Sequence, residues 1–238
     1  MRMVQKFGGT SLAEPRLLRR AAAIAAQAAQ NGQVAVVVSA QGDTTDRLIA
    51  RAAEVNPGPA ARELDMLLSA GEQMSAALLA MTLAERSTAA RSLVGWQAGI
   101  HTDGAFGSAR ITDIDPSRVL AAMEGGVIPV VAGFQGVSAG EITTLGRGGS
   151  DTTAVALAIA LGADVCRIYT DVDGVYDRDP RRDPAARRYA RIGYGDMLAL
   201  ARSGAQVLHP RCVELARAHG LPLEVRSTFT DAPGTLVT

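Results

Sequence analysis

The chain has 238 residues, 47% hydrophobic and 20% charged, and its 24 basic and 24 acidic side chains cancel to a formal net charge of zero. That length suffices for one large α/β domain or two small lobes, and the balanced charge supplies no basic field for nucleic acid. No apolar run reads as membrane-spanning and Met1 to Lys6 lacks the apolar core of a signal peptide, so the expectation is a cytoplasmic protein with no membrane partner. Cys166 and Cys212 have neither metal spacing nor disulfide density and are read as reduced and structural. Lysine occurs once, at position 6.

A short strand over Met3 to Phe7, then Gly8-Gly-Thr-Ser11, then a helix from about Pro15 to Gln30 make a first βα unit. Lys6 ends that strand beside glycine backbone, where a mobile ammonium suits phosphate oxygens. It is no P-loop, because the lysine precedes the glycines. Val34 to Val38 is a continuous β-branched run, the pattern of a strand buried on both faces of a parallel sheet. Ser39 to Asp46 places hydroxyls at its carboxyl edge, where open α/β sheets bind ligands, with a helix over Arg47 to Val55. After the Asn56 to Ala60 break, a helix begins near Ala61. Gly71 is expected to interrupt it beside Glu72, whose carboxylate reads by default as a solvated helix charge and alternatively can meet a substrate amine; the helix resumes from Met74 to Ala84.

Ala90 to Val94 reads as a strand and Gly95 to Asp103 as a loop, with Trp96 a packing residue. A helix over Pro116 to Glu124 leads into a buried strand, Val127 to Gly133, and Ser138 to Thr144 reads as a small hairpin. The hairpin delivers Leu145-Gly-Arg-Gly-Gly-Ser-Asp-Thr-Thr153, which crowds glycines, a cation, hydroxyls and a carboxylate in front of an apolar helix. Ser150 or Asp151 is expected to cap that helix, whose N-terminus favours an anion. Val165 to Tyr169 is a further strand. It ends in Thr170-Asp-Val-Asp-Gly-Val-Tyr-Asp-Arg-Asp-Pro-Arg181, whose order does not match a calcium loop and suits a nucleotide better. Thr170 and Asp171 can bond base or ribose, Tyr176 can pack on a ring, and Arg181 can reach phosphates. Helices over Gly195 to Arg202 and Cys212 to His219 and a strand over Leu223 to Arg226 complete the pattern.

Six stretches in order, Lys6 to Ser11, Val37 to Asp46, Leu67 to Glu72, Gly95 to Ile100, Leu145 to Thr153 and Tyr169 to Tyr176, resemble the catalytic domain of aspartate kinases in the amino-acid kinase superfamily. The resemblance implies an α/β fold, a three-layer αβα sandwich on a mainly parallel sheet. It also implies an amino-acid lobe over about 1–140 and a nucleotide lobe over about 141–238. The implied reaction is transfer of phosphate from ATP, carrying Mg²⁺, to the side-chain carboxylate of L-aspartate. Lys6 would neutralise the transferred phosphoryl group and Asp151 would orient Lys6. Gly8 and Gly9 would cradle oxygens. Ser39, Thr45, Glu72, Arg147 and Ser150 would hold aspartate; Thr170, Asp171, Tyr176, Arg181 and Gln206 would hold ATP.

Gln206 departs from the pattern, since the resembling family usually has lysine there. The family also commonly continues into paired ACT regulatory domains after the Pro233-Gly-Thr-Leu-Val237 stretch near which this sequence ends, so no feedback by lysine or threonine is expected. A kinase for another amino-acid carboxylate and a non-catalytic nucleotide-binding member remain the alternatives. A homodimer is expected.

Overall fold

The β-branched runs of the sequence form the middle of the molecule. In the computed structural model, which describes all residues except Asp179, Arg181, Arg182, Pro184 and 204–206, twelve strands and seven α-helices are found among the described residues. The strands are β1 Arg2–Phe7, β2 Gln33–Val38, β3 Ala90–Leu93, β4 Ile100–Thr102, β5 Ile111–Ile114, β6 Ile128–Ala132, β7 Gln135–Ser138, β8 Glu141–Thr144, β9 Val165–Thr170, β10 Arg191–Ile192, β11 Leu223–Ser227 and β12 Thr235–Val237. The helices are α1 Pro15–Ala29, α2 Thr44–Val55, α3 Ala61–Glu85, α4 Ser117–Glu124, α5 Gly149–Ala160, α6 Tyr194–Arg202 and α7 Pro210–His219.

An eight-stranded sheet runs in the order β10-β12-β11-β9-β1-β2-β6-β3, parallel from β11 through β3 and reversed only at the β12 edge. Strand side chains alternate between faces. On one face Phe7, Val36 and Val38 pack with Ala21, Leu79 and Leu83 from α1 and α3; on the other Val4, Val37 and Ile168 pack with Leu157 and Val213 from α5 and α7. Each such fully buried valine or leucine contributes about 1.5–3 kcal/mol. The result is the mainly parallel αβα sandwich expected from the sequence. A second sheet, β5-β4-β7-β8, stands beside it.

Several local expectations need correction. Gly71 does not interrupt α3, which is continuous over 25 residues; a Cβ there would lie 2.9 Å from the Ala40 Cβ, so glycine serves close packing. That helix is long and apolar enough to cross a membrane by length and composition, contrary to the sequence reading. It carries the buried carboxylates Asp65 and Glu72 and packs on α1, β3 and β8 as a core helix. Residues 95–103 are not a simple loop: a 3-10 turn over Gly95–Ala98 ends at left-handed Gly99 and feeds β4. Trp96 is 46% exposed rather than packed. Neither Ser150 nor Asp151 caps α5, because Gly148 occupies the cap position with φ +70° and both residues fall in the first helical turn. Cys166 and Cys212 are free and buried, and burial raises both thiols above the usual range, away from thiolate reactivity.

Candidate active site

Parallel strands β1 and β2 end on one edge, and there the loops after them and the turn after β8 of the second sheet line an open cavity of about 560 Å³. The alternation along β1 turns Met3 and Phe7 to one face and Val4 to the face covered by α5. Lys6 follows Val4 in that alternation, and its Nζ lies 2.7 Å from Asp151 Oδ1 in the first turn of α5. Both side chains are largely enclosed, at 11% and 15% exposed, so the pair keeps a strong mutual attraction. Asp151 thus anchors the one lysine ammonium of the chain in the cavity wall.

Glu72 reaches the same cavity from α3. Its Oε1 accepts a hydrogen bond of 3.0 Å from the Ala40 N–H, and its buried Oε2 has no hydrogen-bond partner among the described residues. Desolvation pushes the Glu72 carboxyl from its ordinary 4.5 up to about 7, against the smaller opposing effects of the Ala40 N–H and the Lys6 charge. A carboxylate left with an open oxygen beside a cavity is suited to an incoming cation.

Arg147 also lines the cavity, exposed, between Gly146 and Gly148, both at φ +70°. The turn is braced from behind. Arg211 Nη1 donates to the Leu145 carbonyl at 3.0 Å, and the His209 ring occupies the space a Cβ on Gly148 would need. Ser150 is packed against Gly133, whose added Cβ would sit 2.9 Å from the serine Oγ. Ser39, Thr45 and Gly9 complete the set on this side; Thr45 belongs to the first turn of α2 rather than to a loop.

The expected nucleotide residues gather less completely. Gly9 lines the cavity and lies so close to Ala40 that a Cβ would fall 2.6 Å from its carbonyl oxygen. Gly8 does not line it, and its N–H donates to the Tyr169 carbonyl at 3.2 Å, so that N–H is already committed. Thr170 donates to Asp171 Oδ1 at 3.0 Å at the end of β9, and the Tyr176 hydroxyl donates to Asp173 Oδ1 at 2.8 Å. Thr170, Asp171 and Tyr176 all lie outside the cavity. Arg181 and Gln206 lie outside the described residues. Sequence reasoning passed over Asp65, Leu64, Leu68 and Phe134, which also line the cavity. An acidic residue on a helix reads as a solvated charge, so only the fold exposes Asp65 as a wall residue.

The sequence matches the amino acid kinase family over residues 1–227. The chain belongs to the amino acid kinase family. This family member is similar to the aspartokinase of Mycobacterium tuberculosis, with 53% identity over 99% of the chain and 56% of that relative's length. In structure it is similar to aspartate kinase from Synechocystis, with a TM-score of 0.89 and 50% identity, covering 99% of this chain and 40% of that one. Aspartokinase III of E. coli, in complex with aspartate and ADP, superposes with a TM-score of 0.89 at 30% identity, over 100% of this chain and 64% of that one. The chain thus spans a little over half the length of the curated relatives it matches.

Proposed function

We propose that this amino acid kinase family member transfers the γ-phosphoryl group of MgATP to the side-chain carboxylate of L-aspartate, giving 4-phospho-L-aspartate and ADP. The observation that carries this reading is the convergence of Glu72, Arg147 and the Lys6–Asp151 pair on one cavity. Glu72 receives the α-ammonium of the acceptor at its open oxygen. Arg147 receives a carboxylate, for which its planar fork is suited. Ser39, Thr45 and Ser150 supply hydroxyls around the acceptor. Similarity to a kinase that binds aspartate and ADP supports the same assignment.

The reaction asks little of a general base, because the acceptor carboxylate is already ionised at neutral pH. One of its oxygens attacks the γ-phosphorus, the bond to the ADP oxygen breaks, and no proton is moved. Catalysis is then positioning and charge neutralisation. Lys6 holds a positive charge where the phosphoryl oxygens pass, and Asp151 keeps its Nζ from swinging away. Gly9 lets the nucleotide phosphates approach backbone, while Gly8 shapes the turn; Thr170, Asp171, Tyr176, Arg181 and Gln206 hold the nucleotide, and Mg²⁺ arrives on it. The lobe over about 1–140 carries Ser39, Thr45 and Glu72 of the acceptor set, and that over about 141–238 the nucleotide loop together with Arg147 and Ser150, so the acceptor lies where the two lobes meet. The exposed stripe of Met74, Leu78 and Met81 on α3 supports a homodimer.

Trapping acyl phosphate with hydroxylamine tests the reading, using MgATP with L-aspartate, L-glutamate, N-acetyl-L-glutamate or no acceptor. Aspartate-dependent hydroxamate is the expected result. A signal with another acceptor alone, or none despite nucleotide binding, overturns it.

A further inference from the structure

Asp65 has no part in the acceptor contacts proposed above, yet it is the most enclosed carboxylate of the cavity wall, with 1% of its surface exposed. A buried carboxylate must be compensated. Arg62, the nearest basic side chain in sequence, pairs with Glu63 and Glu141 instead. Asp65 is served by neutral donors. Its Oδ1 accepts from the Thr144 hydroxyl at 2.6 Å, its Oδ2 from the Thr144 N–H at 2.8 Å, and the Gly107 N–H donates to both oxygens at 3.1 and 2.9 Å.

Those donors belong to the two segments that carry the Arg147 turn. Thr144 closes β8, three residues before Arg147. Gly107 lies on the loop between β4 and β5, and its carbonyl oxygen is 3.2 Å from where a Cβ on Gly146 would stand. The Ala109 N–H also donates to the Thr144 carbonyl at 2.9 Å, tying loop to strand. On the other side, Asp65 and Glu72 sit seven residues apart on unbroken α3, two turns along one face. One carboxylate therefore links the element bearing Glu72 to the turn bearing Arg147.

We propose that Asp65 is a positioning residue that sets the separation of Glu72 and Arg147 and thereby the affinity of the cavity for its amino-acid acceptor. The inference rests on the acceptor roles proposed for those two residues. Asp65→Asn tests it, because an amide of the same size turns one acceptor oxygen into a donor facing N–H and O–H groups. The expected result is an aspartate KM raised about tenfold or more, with the MgATP KM and kcat changed by no more than about threefold. A merely structural role predicts the reverse: a lower melting temperature and less active enzyme at an unchanged KM. That result overturns the proposal.

Thr144→Val, which keeps the N–H and removes the hydroxyl donor, is expected to raise the aspartate KM less, and to add little on the Asp65→Asn background. Hydrogen exchange on the acceptor-free protein supplies a readout independent of turnover. Residues 104–109 and 144–148 should exchange faster in Asp65→Asn while β2 stays protected. Unchanged exchange there overturns the proposed link. Loss of protection in a protein whose wild type forms no aspartyl hydroxamate would sink the functional reading and leave the link standing.

Discussion

At Lys6 the chain keeps a compact amine where every other basic position is arginine, and the amine is held 2.7 Å from Asp151 inside the cavity wall. Lys6→Met removes the charge while keeping the length of the side chain. It should lower kcat by about 10²- to 10³-fold, the scale seen when one transition-state donor is lost. The fold should persist with reduced stability, since Asp151 loses its partner. Circular dichroism with steady-state kinetics checks both, and unchanged turnover removes Lys6 from the mechanism. Glu72 carries a pH signature. Its carboxyl is raised from 4.5 to about 7 in the folded chain, so between those values the unfolded state ionises first. Stability should fall as pH rises through that window, by on the order of 3 kcal/mol, and the loss should be complete above it. Urea midpoints at about pH 5 and pH 8 should therefore differ more in the wild type than in Glu72→Gln. Equal differences would show that this carboxyl is not raised. In the proposed reaction the acceptor ammonium favours ionised Glu72, so the acceptor KM should drop as pH rises through about 7.

Among the elements, the glycine turn into α5 has little freedom to vary. Gly148 combines φ +70° with the His209 ring against its α-carbon. Gly148→Ala should destabilise the protein by about 3 kcal/mol or more, from left-handed strain and displacement of that ring together. Gly220, the C-cap of α7, has φ +62° but open space where a Cβ would go, so Gly220→Ala should cost only about 1 kcal/mol. Thermal melts of the two variants separate the contributions, and equal losses would mean that the His209 contact is soft. The main strands were legible because β-branched runs such as Val34 to Val38 can only be stable when covered on both faces. The continuity of α3 was not, because the local penalty of Gly71 is visible in the sequence while the close approach of Ala40 is a tertiary contact. Strands β4 and β5 escaped for a related reason: three or four residues long, they are held by pairing with each other and with β7. Lys6 and Arg147 were legible as cations beside glycines, whereas Asp65 looked like any helix acid until its donors were seen.

On the scale of the whole molecule, the strand that brings Lys6 to the cavity and the strand leading to the proposed nucleotide loop share one sheet. Strand β1 pairs with β2 through Lys6↔Val37 and with β9 through Lys6↔Ile168. The central seam is thus closed by partners about 160 positions apart in sequence, with the Arg2 N–H donating to Asp164 and the Asp164 N–H donating back to Arg2. This has a kinetic meaning. As the polypeptide leaves the ribosome, β1 emerges with one edge lacking its partner until β9 has been synthesised, and the loop to be closed is long. Residues 1–140 expressed alone should be aggregation-prone and give no cooperative unfolding transition; a cooperative transition would show that the first half folds unaided. A chain cut short before β9 leaves the Lys6 strand unpaired on one edge, and with it the proposed phosphoryl-transfer site incomplete.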